Sequence, residues 1–285
     1  MSFWHKLNQM DSRIIYTALL LVLIGALIFP MGLPINIGTS SQAAYDIFNH
    51  FKAGDILYVS FDYDAAGATD IQSSVEACIR LVFKNGGRVA AGALWPIGAQ
   101  QAEYLFRDML KEFPDLVEGV DYLNLGYKPG GQMYIEKAMD NIAEACANVD
   151  NAGRNLSQSP IMKDLKTLKD AAAVICGNHG SPGASEWVPM YATAYAVPNK
   201  IPFVVCASAV NATINAPYVQ SGQITVYLNG IRAGAEMEIL TGQLGTAVAG
   251  MDAQSLSHLL VLALMVLGNI SYFMVKRENK AKKEA

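Results

Sequence analysis

Ile56-Leu57-Tyr58-Val59-Ser60-Phe61 is a short apolar run of good strand formers, opened by Gly54-Asp55 and closed by Asp62-Tyr63-Asp64-Ala65-Ala66-Gly67. Bounded in this way, it reads as a buried strand. Thr69 then offers an N-cap hydroxyl, and Gln72, three residues on, can reach back to the cap N–H, so the spacing predicts a helix from Thr69. Ile71, Val75, Cys78 and Val82 follow at helical steps and make one apolar stripe, which Gly86-Gly87 ends. A strand, a polar loop and a helix that covers the strand form the unit of an α/β sheet.

The rest of the central chain repeats that unit. Arg88 to Trp95 reads as a second strand, with Ala102, Leu105, Phe106, Met109 and Leu110 as the face of the next helix. Asp121 to Tyr127 is a third strand, followed by a helix whose stripe is Ile135, Ala138, Met139, Ile142 and Cys146. Ala147 to Ser159 is rich in Gly, Asn and Ser and is expected to be a mobile flap or an insertion between two halves of the sheet. Ile161, Leu165 and Leu168 suggest a brief helix. Ala171 to Gly177 and Pro202 to Ala207 are a fourth and fifth strand, with Trp187, Tyr191, Ala192 and Tyr195 as a helix face between them. Gln223 to Leu228 alternates as an edge strand does, and Ile231 to Leu240 is the last helix of the series. Repeated strand-then-helix steps need crossovers of one hand, so the fold expected is α/β: a Rossmann-like, doubly wound, mostly parallel sheet flanked by two transmembrane helices.

The two flanking helices are read from charge-free apolar runs. Ile14 to Met31 and Leu259 to Val275 carry no Asp, Glu, Lys or Arg, and each approaches the length needed to cross about 30 Å of hydrocarbon. Pro30, Gly32 and Pro34 follow the first run, and the nearest small-residue site, Ser41-Gln42-Ala43, lies well beyond it, which favours an uncleaved span over a signal peptide. Lys6 and Arg13 precede the first run and Lys276, Arg277, Lys280, Lys282 and Lys283 follow the second, so both ends are expected in the cytoplasm. The segment from Asn36 to Gln254 holds 14 Lys and Arg against 22 Asp and Glu, while the whole chain has a net charge of −4. An acidic domain without a basic stripe argues against a nucleic-acid partner. The expected organisation is a cytoplasmic N-terminus (1–13), a first span (14–33), an extracytoplasmic α/β domain (34–250), an approach and second span (251–275) and a basic cytoplasmic tail (276–285).

In an open parallel sheet, ligands bind where loops and helix N-termini converge at the carboxyl ends of the strands. The loops at that end supply Asp62, Asp64 and Asp70 after the first strand, Lys128 after the third, Asn178, His179 and Glu186 after the fourth, and Ser208 and Asn211 after the fifth. Asp62, Asp64, Lys128, Asn178, His179, Glu186, Ser208 and Asn211 are therefore the candidate ligand-binding set, suited to a polar small molecule or an oxygen-bound cation. The plain alternative is that Asp, Asn and Ser stand at strand ends as turn and cap formers. Asp62-x-Asp64 fixes no third ligand, so no metal site is assigned. There is no GxGxxG after the first strand, no GxxxxGK[ST] and no G-x-S-x-G elbow, so no cofactor is expected and no catalytic residue is named. Four cysteines without CxxC or Cys/His spacing read as buried thiols, or as a Cys176 to Cys206 bridge if their strands are neighbours.

Within the second apolar run, Gly268, Asn269, Ser271 and Tyr272 form a polar patch, and polar side chains at that depth face another helix. Gly268 and Asn269 are the expected contact with a second copy or a membrane partner. The stretches Leu125-Gly126-Tyr127-Lys128, Tyr218-Val219-Gln220-Ser221-Gly222-Gln223 and Met251-Asp252-Ala253-Gln254-Ser255, with His258 and Gly268-Asn269-Ile270, resemble prokaryotic membrane proteins of unknown function over the whole chain. That resemblance implies two spans and no activity. The function expected is therefore a homo-oligomeric assembly or scaffold component, leaning away from an enzyme. The competing class is a membrane-tethered sensor or enzyme that uses the crevice at the strand ends.

Overall fold

The computed structural model describes residues 3–284. The chain forms two compact units, Met1–Leu33 with Val248–Ala285, and Pro34–Ala247. In chain order it runs through α1 (Phe3–Asn8), α2 (Ser12–Ile28), α3 (Thr39–Asn49), β1 (Ile56–Asp62), α4 (Ala65–Lys84), β2 (Arg88–Ala93), α5 (Gly98–Glu112) and β3 (Tyr122–Tyr127). It continues through α6 (Gln132–Asp140), α7 (Ile142–Ala145), β4 (Ala173–Asn178), α8 (Ala184–Trp187), α9 (Val197–Asn199), β5 (Phe203–Ala207), α10 (Ala212–Gln220), β6 (Val226–Asn229), α11 (Gly230–Thr241) and α12 (Thr246–Glu284).

In the larger unit all six strands are parallel, in the order β3-β2-β1-β4-β5-β6. The chain winds outward from β1 in one direction and from β4 in the other, so the doubly wound, Rossmann-like α/β expectation holds, and the topological switch lies between β1 and β4. Every residue of β1 is buried, as a strand covered on both faces requires. Leu57, Val59 and Phe61 pack in the layer that holds Ile71, Val75 and Cys78 of α4. Ile56 and Tyr58 pack in the opposite layer with Trp187, Tyr191 and Ile135.

Several local expectations are corrected. The cap of α4 is Asp64, whose carboxylate accepts from Ala66 N at 3.1 Å and Gly67 N at 3.0 Å, and the helix starts at Ala65. Thr69 lies inside the helix, its hydroxyl donating to the Ala66 carbonyl. A carboxylate that satisfies two first-turn N–H groups lets the helix absorb Ala65-Ala66-Gly67, which in sequence looks like loop. The single helix expected over 135–146 is broken at Asn141, whose side chain caps α7. The face expected around Trp187 to Tyr195 belongs to α8 and to a π-helix, Val188–Ala196, that continues it. The brief helix near Ile161 is a pair of 3₁₀ turns, Pro160–Lys163 and Leu168–Asp170.

The stretch from Ala147 to Ser159, expected as a mobile flap or an insertion between two halves of the sheet, lies between β3 and β4, which belong to opposite halves, and is held by hydrogen bonds. Asn151 N donates to the Asn124 carbonyl at 2.9 Å, Leu156 N donates to the Asn148 carbonyl at 2.9 Å, and the Leu156 side chain is fully buried. All four cysteines are free. A Cys176–Cys206 bridge is ruled out by register: Cys176 pairs with Val205 and Gly177 with Cys206, so with side chains alternating along a strand the two thiols occupy opposite faces of the sheet.

In the smaller unit, α12 is one helix of 39 residues that takes in the polar approach 251–258. Its stretch Thr246–Lys280 is the one helix among the described residues long and apolar enough to cross a membrane; α2, with 17 residues, is shorter. The expected first span, 14–33, is cut short because the chain leaves helical geometry at Phe29 and Pro30. Beyond it the N–H groups of Met31, Gly32 and Leu33 donate to the buried Asp252 carboxylate of α12 at 2.7, 2.8 and 3.0 Å. At the far end of the unit Ser271, fully buried, donates to the Trp4 carbonyl at 2.7 Å. The N-terminal segment therefore runs antiparallel to α12, and the contacts at Asp252 and Ser271 lie about 28 Å apart along its axis at about 1.5 Å per residue.

Candidate functional site

The crevice of interest lies over the carboxyl ends of β1 and β4. It is built from the β1–α4 loop, the β4–α8 loop and the residues just past β5. His179 is the residue on which these converge. Its Nδ1 is 3.0 Å from Ser208 Oγ and its Nε2 is 3.9 Å from Asp64 Oδ1, and the ring is partly exposed. The sheet sets the first of these distances. Asn178 of β4 is in register with Ala207 of β5, so the residues that follow, His179 and Ser208, leave neighbouring strands at the same level, about 4.8 Å apart in the hydrogen-bonding direction.

Further contacts fix the pair. Asn211 Nδ2 donates to Ser208 Oγ at 3.0 Å and to the Asn178 carbonyl at 3.3 Å. Trp95, from the loop after β2, lies edge-on to the His179 ring with centroids 6.3 Å apart, and its indole N–H donates to the Pro182 carbonyl at 2.6 Å. A Cβ at Gly67 would come within 2.6 Å of His179 Cγ, so only glycine lets the imidazole rest on the first turn of α4. Asp70, also on α4, accepts from Ala209 N at 3.3 Å.

Of the eight residues expected to bind a ligand, the structure brings His179, Asp64, Ser208 and Asn211 together and gives the others local tasks. Asp62 is fully buried and faces the interior. One of its oxygens accepts from Ser60 Oγ and Leu94 N, both at 2.7 Å, and the other from Trp187 Nε1 at 2.8 Å and Cys176 Sγ at 3.6 Å. Asn178 is buried and accepts from Ala184 N at 3.2 Å. Glu186 accepts from Gly183 N at 2.6 Å and from the hydroxyls of Ser181 and Ser185. Lys128 stands at the end of β3, separated from β1 by β2, where its amine donates to the Val149 carbonyl at 3.4 Å. Trp95 and Gly67 were missed by sequence reasoning; the Gly177–Gly183 loop around His179 was the available signal for a tightly packed imidazole.

The site's electrostatics are acidic. Asp64 is held below the usual carboxylate range, chiefly by the Gly67 N–H, with His179 and the Ala66 N–H adding to the effect. It thus occupies the helix N-terminus where a doubly wound fold would otherwise receive a phosphate. Among the described residues no group of three or more His, Cys, Asp or Glu side chains is placed to hold a metal ion. In the smaller unit Gly268 and Asn269 are exposed on α12, while Ser271 is buried against the N-terminal segment. No protein-family model, no curated protein and no solved structure matches the chain.

Asp62 gives a pH-dependent test of its structural role. Burial pushes its carboxyl from 3.8 up to about 7, with the hydrogen bonds from Leu94, Ser60, Trp187 and Cys176 pulling the other way. A carboxyl whose folded value is raised stabilises the fold fully below its unfolded value and loses that contribution as pH rises through its folded value, here between about 4 and 7. The difference is on the order of 4 kcal/mol at about 1.36 kcal/mol per pH unit. Denaturant unfolding of the wild type and Asp62→Asn should therefore show a stability gap that is larger at pH 5 than at pH 8. A gap that stays constant, or widens with pH, would overturn this account.

Proposed function

We propose that the chain is a membrane-tethered α/β domain that binds a small polar ligand in the crevice at the β1/β4 switch point. The observation that carries this reading is His179, whose two ring nitrogens face partners from two different loops, Ser208 and Asp64, at the position where doubly wound sheets take their ligands. Asp62, Asn178, Glu186 and Lys128 are turned to local contacts, while His179 stays partly exposed beside Asp64. A thermal-shift screen of the detergent-solubilised chain against Mg²⁺, Ca²⁺, Zn²⁺, nucleotides, amino acids and short acyl esters tests it. A ligand at about a hundred times its Kd adds about 2.7 kcal/mol of stability. At least one class should raise the melting temperature of the wild type and fail to do so for His179→Leu; no shift with any of them rejects the reading.

We further infer that the tether is a two-span hairpin with both ends cytoplasmic and the α/β domain extracytoplasmic. The support is the antiparallel pairing of the N-terminal segment with α12 over about 28 Å, close to the hydrocarbon thickness, together with the basic residues at both ends. The native thiols are buried, so introduced cysteines report topology cleanly. Met133→Cys should react with a membrane-impermeant maleimide on intact spheroplasts, and Arg277→Cys only after lysis. The reverse pattern would invert the orientation.

A second reading, assembly into a homo-oligomer or with a membrane partner protein, is favoured by the outward placement of Asn269. Its amide lies on the exposed face of an apolar helix, and a Cβ at the neighbouring Gly268 would meet nothing within 4 Å, which leaves room for another helix to approach. Interhelical hydrogen bonds of this kind average about 0.6 kcal/mol, enough to matter when repeated around an oligomer. Asn269→Leu should leave insertion intact and reduce the particle mass measured by light scattering in detergent. A monomeric wild type, or an assembly unchanged by the substitution, would remove this reading.

A further inference from the structure

We propose that Ser208 is a nucleophile, with His179 as its base, and that the crevice acts on a small uncharged acyl ester; this rests on the reading of the crevice as the ligand site. Three contacts define the chemistry. Asn211 Nδ2 donates to Ser208 Oγ at 3.0 Å, which satisfies the hydroxyl oxygen as an acceptor and leaves the hydroxyl proton to be donated elsewhere. Its neighbour in reach is His179 Nδ1, at 3.0 Å. The imidazole proton then resides on Nε2, which faces the Asp64 carboxylate at 3.9 Å. Serine, imidazole and carboxylate thus form a chain from three loops, the logic of an activated hydroxyl in which base and orienting acid are recognised by geometry.

The transfer balances within these groups. Ser208 Oγ bonds to the acyl carbon as its proton passes to His179 Nδ1, and the imidazolium so formed is met by Asp64, which is already held ionised by its place at the head of α4. Collapse breaks the bond to the alcohol oxygen, and the alcohol leaves with the proton from His179. Water, deprotonated by the same nitrogen, then attacks the acyl-serine; the acid is released and the proton returns to Ser208. Ser208 is 1% exposed, which restricts the proposed substrates to small ones. Asp64 and Asp70 at the rim repel anions, which sets phosphate esters apart from the expected substrates.

Methanesulfonyl fluoride, small and uncharged, reads this chemistry directly: Ser208 Oγ bonds to sulfur, its proton passes to His179 and fluoride leaves. In the full chain in detergent, peptide mass spectrometry should find the adduct on Ser208. His179→Ala should slow labelling by about a hundredfold or more, the range expected on losing a general base. Ser208→Ala should lose the adduct at that position, and both variants should keep the circular dichroism of the wild type, so that lost labelling is not lost fold. An unlabelled wild type, an adduct confined to other hydroxyls, or an unchanged rate in His179→Ala would overturn the proposal. If a ligand from the thermal-shift panel still binds the wild type and not His179→Leu while Ser208 stays inert, the crevice reading stands and the nucleophile falls; if both experiments are silent, both fall.

Discussion

Four elements meet on the Asp62 carboxylate. Ser60 from its own strand, Leu94 after β2, Cys176 in β4 and Trp187 in α8 all donate to it, and none of its surface reaches water. A buried carboxylate is tolerated only when its oxygens are satisfied, so β1, β4, the residue after β2 and the last residue of α8 are held at fixed distances from one another. The next residue layer inherits that rigidity. His179 N donates to the Asp62 carbonyl at 3.1 Å, so the imidazole leaves β4 from a backbone anchored to the same residue. Removing the carboxylate would orphan an indole N–H and a backbone N–H in the interior, which links the fold's least exposed acid to the geometry of its crevice.

The sheet was legible in the sequence because parallel strands buried on both faces leave continuous apolar runs, as in β1 and β4, and the helix stripes between them follow the 3.6-residue period. What was not legible depended on long-range partners. Asp62 and Asp64 are indistinguishable as residue types two apart in a polar loop, yet one turns inward to Trp187 while the other caps α4. Lys128 sits in a loop of the same kind as His179, and only the strand order places it away from the crevice. Gly67 and Trp95 carry no motif; their part is steric, and it exists only once α4 and the loop after β2 have been brought against the imidazole.

The two terminal segments follow the same rule of polar satisfaction. The Asp252 carboxylate accepts from three successive backbone N–H groups where the chain leaves α2, and Ser271 gives its hydroxyl to the Trp4 carbonyl. Both polar side chains are buried within the unit. Asn269 is two residues from Ser271 on α12, about 200° around the helix at about 100° per residue, so it cannot share that face. The same helix thus combines one face that closes on its own chain with one that does not.

Asp64 joins the fold to the chemistry proposed for it. As a cap it gives Ala66 N and Gly67 N the acceptor that the first turn of α4 lacks, and those N–H groups in return keep it ionised. A helix N-terminus occupied by its own carboxylate has little attraction left for a phosphate, so the feature that usually makes a doubly wound fold a nucleotide site is already used. The negative charge instead faces His179 Nε2. A cap required by the helix therefore places one carboxylate both on the first turn of α4 and beside His179, and two structural tasks fall to one side chain.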